Sequence, residues 1–130
     1  MSAFDEYLAG LQAGDAARVV ASLRPDTTLR VAVHAKPFVG REAISFVFAQ
    51  LFSGIFSDVR VGKVLADGDH RVAVFEVTVL GYGGTAEGLN LATVNTDGEL
   101  TEITVFLRPL GALQALSDEM GRRFGSPRPE

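Results

Sequence analysis

Phe4, Tyr7, Leu8 and Leu11 recur at i, i+3, i+4 and i+7, which predicts an N-terminal helix of about three turns with all four side chains on its inner stripe. Gly14 and Asp15 read as a helix stop followed by a new N-cap, and Val19, Val20 and Leu23 continue a second short helix until Arg24-Pro25-Asp26 breaks it. From Thr28 to Val33 the period becomes two, with Leu29, Val31 and Val33 on one strand face and Arg30, Ala32 and His34 on the other. Lys36 to Gly40 reads as a loop. Arg41 to Phe52 is helical again and apolar on nearly every side, so it predicts a helix buried between layers, which Ser53-Gly54 ends or bends.

Two more strands, Asp58 to Leu65 and Arg71 to Leu80, flank Asp67-Gly68-Asp69, a hairpin signal because glycine takes the positive φ a tight turn needs. Ala73, Phe75, Val77 and Val79 make one face of the second strand. Val72, Val74, Thr78 and Leu80 make the other, interrupted only by Glu76. A strand apolar on both faces calls for cover on both, here helices on one side and a second subunit on the other. Thr85 to Leu107 folds back at Asn95-Thr96-Asp97-Gly98 as one long hairpin, the floor of the fold. A last helix carries Leu113, Leu116, Met120 and Phe124. The order helix, helix, strand, helix, four strands in a meander and helix is an α+β layout, since strand and helix do not alternate long enough to build a parallel α/β sheet.

At 130 residues the chain is read as one domain, residues 1–125, with a disordered tail at 126–130 where Pro and Gly punctuate and no apolar stripe continues. With 47% hydrophobic residues and a mean hydropathy of +0.21, it carries more apolar side chains than a small monomer needs inside, which points to a lined cavity or a subunit interface. A net charge of −4 argues against nucleic acid, whose binders cluster Lys and Arg. Without cysteine there is neither a disulfide nor a thiolate metal site, and a cytoplasmic location is expected. No basic segment followed by an apolar core opens the chain, and no apolar run approaches the ~18 residues of a membrane span, so neither a secretory signal nor a membrane partner is expected.

Three stretches together resemble the ketosteroid-isomerase-like superfamily, also called nuclear transport factor 2-like, and within it the SnoaL-like proteins. They are Tyr7-Leu8-Ala9-Gly10-Leu11-Gln12-Ala13-Gly14-Asp15, Pro37-Phe38-Val39-Gly40-Arg41-Glu42-Ala43-Ile44, and Asp97-Gly98-Glu99-Leu100-Thr101-Glu102-Ile103. The resemblance implies a curved antiparallel sheet wrapped into a cone, with N-terminal helices covering an apolar pocket, and homodimers formed through the outer sheet face. In the ketosteroid isomerases a tyrosine and a protonated aspartic acid hold an enolate oxygen while an aspartate moves the proton. Position by position, the tyrosine falls on Tyr7 and the oxyanion-holding acid on Asn90, whose amide N–H still donates a hydrogen bond. The base departs from the pattern: Val33-His34-Ala35 offers no carboxylate, and His34 takes its place as the candidate.

These assignments imply an apolar pocket lined by Phe48, Phe75, Val77, Ile103, Val105 and Leu107, with Tyr7, Asn90 and His34 as its polar contacts. The expected ligand is a small hydrophobic molecule, polyketide- or steroid-like, isomerised or cyclised by proton transfer without a cofactor; the alternative is a binding or dimerisation module of the same shape. Each residue also has a plainer reading. Tyr7 is a core aromatic with a bonded hydroxyl, Asn90 faces the interface, or His34 is a solvated strand end. With Phe75 and Val77 placed in the cavity as the resemblance implies, Glu76 falls outward by strand parity and would pair with Arg30, Lys63 or Arg108; with the parity reversed it becomes the best candidate acid or base in the chain. For Arg108, a structural salt bridge competes with a ligand carboxylate at the cavity mouth. No His and carboxylate cluster has metal-ligand spacing.

Overall fold

A computed structural model describes residues 2–124. The predicted boundary at residue 125 and the tail at 126–130 lie outside them. Helix α1 (Ala3–Ala13) begins at a capping box, Ser2 Oγ accepting from Asp5 N–H and Asp5 Oδ2 from Ser2 N–H, and ends at Gly14 in the left-handed conformation. Helix α2 (Ala16–Ala21) is capped by Asp15 and crosses α1 where Gly10 meets Val19. A Cβ at position 10 would lie 2.7 Å from Val19 Cγ2, so only glycine lets the two helices approach this closely.

The predicted second helix stops two residues early, at Ala21, and β1 (Leu23–Arg30) starts where that helix was expected to continue. Leu23 pairs with Leu100 before the chain bulges through Arg24, Pro25 and Asp26. Thr27, fully buried, holds the bulge by donating to the Leu100 carbonyl at 2.9 Å and accepting from Arg24 N–H at 2.8 Å. The expected strand end at Val33 also moves. Strand β1 finishes at Arg30 because the chain turns to bring β2 (Phe38–Val39) back against Thr28 and Leu29.

Helix α3 (Arg41–Gln50) is amphipathic rather than buried all round: Ile44, Val47 and Phe48 face inward while Phe46 remains half exposed, since the helix has the sheet on one side only. A π turn, Leu51–Ile55, follows, with Ser53 and Gly54 out of helical conformation. Four strands then form the meander β3 (Phe56–Asp67), β4 (His70–Val79), β5 (Thr85–Val94) and β6 (Leu100–Arg108), before α4 (Leu110–Phe124) closes the fold.

The sheet order is β2-β1-β6-β5-β4-β3. Its meander is antiparallel as expected, but β1 runs parallel to β6, so the sheet is mixed. Two register shifts in β3 curl that edge toward α1, where Gln12 Oε1 accepts from Val61 N–H at 2.8 Å. The curved sheet and its helices enclose a continuous apolar core from Phe4 to Met120.

The inner face of β5 carries Ala86, Gly88, Asn90, Ala92 and Val94. The leucines that mark this strand in the sequence, Leu89 and Leu91, point outward. Small inner residues are what keep the concave face hollow, and parity fixes Asn90 among them. Glu76 faces outward as parity requires, but its partner is Arg60 on the adjacent strand at 3.5 Å, not Arg30, Lys63 or Arg108. Arg30 instead pairs with Glu102, and Arg108 with Glu87.

Candidate functional site

Tyr7 and Asn90 come from opposite layers, helix α1 and strand β5, and meet inside the cone. The phenolic O–H donates to Asn90 Oδ1 at 2.7 Å, and both residues are at most 1% exposed. The ring of Tyr7 is held by two phenylalanines, stacked on Phe4 at 6.1 Å and edge-on to Phe48 at 6.2 Å. Burial pushes the phenol far above its ordinary pKa of 10.0, so Tyr7 stays a neutral donor across the working pH range.

This pair has two arrangements. With the Tyr7 proton on Oδ1, the Asn90 carboxamide nitrogen donates to no other described residue and is left to face the cavity. Turning the amide over would make Nδ2 the donor to Tyr7 and release the phenolic O–H instead. In either form one N–H or O–H donor is free for an acceptor atom of a bound molecule.

The cavity around the pair has a volume of about 30 Å³. Its other walls are apolar: Leu11 from α1, Leu29, Val31 and Ala32 from β1 and the following turn, Phe48 from α3, Leu51 and Phe52 from the π turn, Phe56, Val59, Phe75, Val105 and Leu107 from the sheet, and Leu116 and Met120 from α4. Among the described lining residues only Tyr7 and Asn90 are polar, and none carries a charge.

Four of the predicted lining residues, Phe48, Phe75, Val105 and Leu107, line this cavity. Val77 and Ile103 point to the same side of the sheet but are packed into the core and do not reach it. His34 is not brought to the pair. With β1 ending early, it sits half-buried in the turn that follows, its Nδ1 3.1 Å from the Lys36 carbonyl and its ring 5.3 Å from that of Phe38. Arg108 is exposed on the outer face with Glu87. The sequence reading missed Leu116 and Met120. Their helical stripe marks them as inward-facing, but nothing in it tells that α4 crosses the cavity. Among the described residues no group of His, Asp or Glu side chains has a metal-holding arrangement, and no helix is long and apolar enough to cross a membrane.

A curved sheet with helices over its concave face is the architecture of the nuclear transport factor 2-like cone proteins. The model of the SnoaL-like domain matches residues 4–103, and the chain belongs to that family. Among solved structures it is similar to a steroid delta-isomerase from Pseudomonas aeruginosa, at 27% identity and a TM-score of 0.81 over 95% of this chain and 89% of that one. A bacterial protein with a cystatin-like fold from Silicibacter pomeroyi matches at 26% identity and a TM-score of 0.78, over 90% of this chain and 84% of the other. The epoxide hydrolase/cyclase-like enzyme SalBIII shares the fold at 16% identity and a TM-score of 0.68, over 84% and 90% of the two chains. No curated protein matches the chain.

Proposed function

We propose that this protein binds a small, neutral, hydrophobic molecule in the cone, with one oxygen of that molecule held by the Tyr7–Asn90 pair. The observation that carries this reading is the composition of the cavity wall: a single bonded phenol–amide pair among otherwise apolar side chains. Such a wall excludes charged ligands, whose desolvation nothing here would compensate, and favours a carbonyl or hydroxyl oxygen on an apolar frame of polyketide or steroid type. Native mass spectrometry of the purified protein tests it. A retained apolar molecule, lost from Tyr7→Phe and Asn90→Ala, supports the reading; a bare mass together with no uptake of any neutral ligand overturns it and leaves a module whose hollow is filled by its own side chains.

A second reading, proton-transfer isomerisation, is favoured by the likeness to the steroid delta-isomerase. Here Tyr7 and Asn90 would donate to an enolate oxygen as charge develops on it. The base is the weak part, because no imidazole or carboxylate is among the described residues lining the cavity. Turnover of a panel of enones, lost in Tyr7→Phe and in Asn90→Ala, supports this chemistry. Binding without turnover restricts the site to recognition.

The protein is further proposed to form a homodimer through the outer face of its sheet. Val74, Leu89 and Phe106 sit directly opposite one another on β4, β5 and β6. Phe106 is 51% exposed and Leu91 beside the row 36%, a contiguous apolar surface of the kind that marks an interface.

A further inference from the structure

A volume of about 30 Å³ is room for about two waters, at ~10–15 Å³ each, whereas sites for drug-sized molecules run to about 300 Å³ or more. The closed cone therefore admits none of the ligands its wall is suited to. Helix α4 and the π turn both contribute to the cavity wall, Leu116 and Met120 from the helix, Leu51 and Phe52 from the turn. Withdrawing α4 would remove two large side chains from the cavity wall at once.

The two ends of α4 are fastened by different kinds of contact, packing at the first and a polar contact at the last. Its start is anchored by packing at one face: Ala112 is fully buried, the Tyr82 ring lies 3.1 Å from where a Cβ on Gly111 would be, and Ala115 packs beside Gly81, while Leu110 is left exposed. Among the described residues its last turn is held by one polar contact to the rest of the fold, Arg123 Nη1 donating to the Ser53 carbonyl at 2.8 Å, and by Phe124 against Phe38 and the half-exposed Phe46. Glu119 aims that arginine, accepting from Arg123 Nε at 3.2 Å while also pairing with Arg122. The guanidinium also passes over Gly54, where a Cβ would lie 3.6 Å from it.

Resting on the binding reading above, we infer that α4 is a gate: it swings about its start at the buried Ala112, and the Glu119–Arg123–Ser53 contact is the latch that holds it shut over the site. Opening carries Leu116 and Met120 out of the cavity and leaves Tyr7 and Asn90, which belong to α1 and β5, in place. Ligand entry is then limited by the rate at which the latch releases.

Two readouts on the intact protein separate this inference from the binding reading. In amide hydrogen exchange, residues Leu113 to Phe124 should exchange by local opening, ahead of β4 to β6. Arg123→Gln should raise that exchange about three- to tenfold, as expected for loss of one partly screened charge-assisted hydrogen bond, and should raise the association rate of the neutral dye Nile red by the same factor. Glu119→Gln, which leaves the arginine in place but unaimed, should give a smaller change of the same sign. Exchange of α4 no faster than that of the central strands, unchanged in both variants, overturns the gate whatever the dye does. Dye that binds at one rate to all three proteins also overturns it while leaving the binding site standing. Faster α4 opening with no dye uptake by any form, Met120→Ala included, overturns the binding reading and leaves a helix that moves without admitting a ligand.

Discussion

Phe75 occupies the space that a side chain at position 88 would need: the two residues are direct cross-strand partners, and a Cβ on Gly88 would lie 2.2 Å from the ring's Cζ. The aromatic wall of the cavity is thus set by a missing methyl group on the neighbouring strand. In Gly88→Ala the ring must give way, at a cost of about 1–3 kcal/mol for an overpacked core. Denaturant midpoints should show that loss, and Phe75→Leu in the same chain should recover part of it. Equal losses in the single and double variants would mean that the backbone, not the ring, absorbs the clash.

The Tyr7–Asn90 bond should behave as a unit. Tyr7→Phe leaves a buried carboxamide oxygen without its donor, and Asn90→Leu leaves a buried hydroxyl without its acceptor. Each should lower stability by about 1–3 kcal/mol, the range for orphaning a buried polar group. Because the pair is removed whole in Tyr7→Phe with Asn90→Leu, the double variant should lose less than the sum, a coupling read from a double-mutant cycle of unfolding free energies. Strict additivity would show that the two groups are satisfied separately.

Much of the architecture is written in short-range signals. The stripe of Phe4, Tyr7, Leu8 and Leu11 and the two Asp-Gly turns are local, and the elements they mark are the ones the structure contains. What the pattern misses depends on distant partners. Leu23 looks helical beside Val19 and Val20 and becomes a strand because Leu100 is there to pair with it. The two leucine neighbours of Asn90 do not fix which way it turns; the register with Ala73 and Val105 does. His34 was placed by a strand predicted three residues too long, and the role of α4 is invisible to any local period because it is set by where the helix lands.

Alkali should unfold this protein through Tyr7. Its folded-state pKa is raised by burial above the ordinary 10.0, so its contribution to stability is full below that pH and is lost as pH rises beyond it, where only the unfolded state readily gives up the proton. Stability plotted against pH should therefore fall above 10 in the wild type and fall less in Tyr7→Phe. Parallel curves for the two proteins would show that the phenol ionises in the folded state, and hence that its site is wet.

Phe106 tests the proposed dimer. Phe106→Glu sets a charge in the middle of the outer apolar row without touching the cavity, since alternate residues of β6 face opposite ways. Sedimentation velocity should show a two-chain species in the wild type and one chain in the variant, with the cavity's ligand affinity unchanged. A wild-type protein that sediments as one chain at tens of micromolar, typical of weak specific association, removes the dimer.

Acid should loosen α4 before the rest of the fold. The hydrogen bond from Arg122, with that from Arg123, holds the Glu119 carboxyl below its ordinary 4.5 against the opposing effect of burial. A carboxylate with a depressed folded-state pKa contributes stability above its unfolded value and loses it as pH falls through the folded one. Among the described residues, the charged groups meeting Glu119 are Arg122 and Arg123 from its own helix, while the π turn offers Arg123 only the Ser53 carbonyl. Protonation therefore releases the arginine's aim with nothing across the seam to replace it. Amide exchange in Leu113 to Phe124, corrected for the intrinsic rate, should accelerate below pH 4.5 relative to β4 and β5, and Glu119→Gln should already be loosened at neutral pH and show no further step. An acid step that persists in Glu119→Gln would assign it to carboxylates elsewhere, such as Asp26 and Glu99, which Arg24 and Asn95 also hold low.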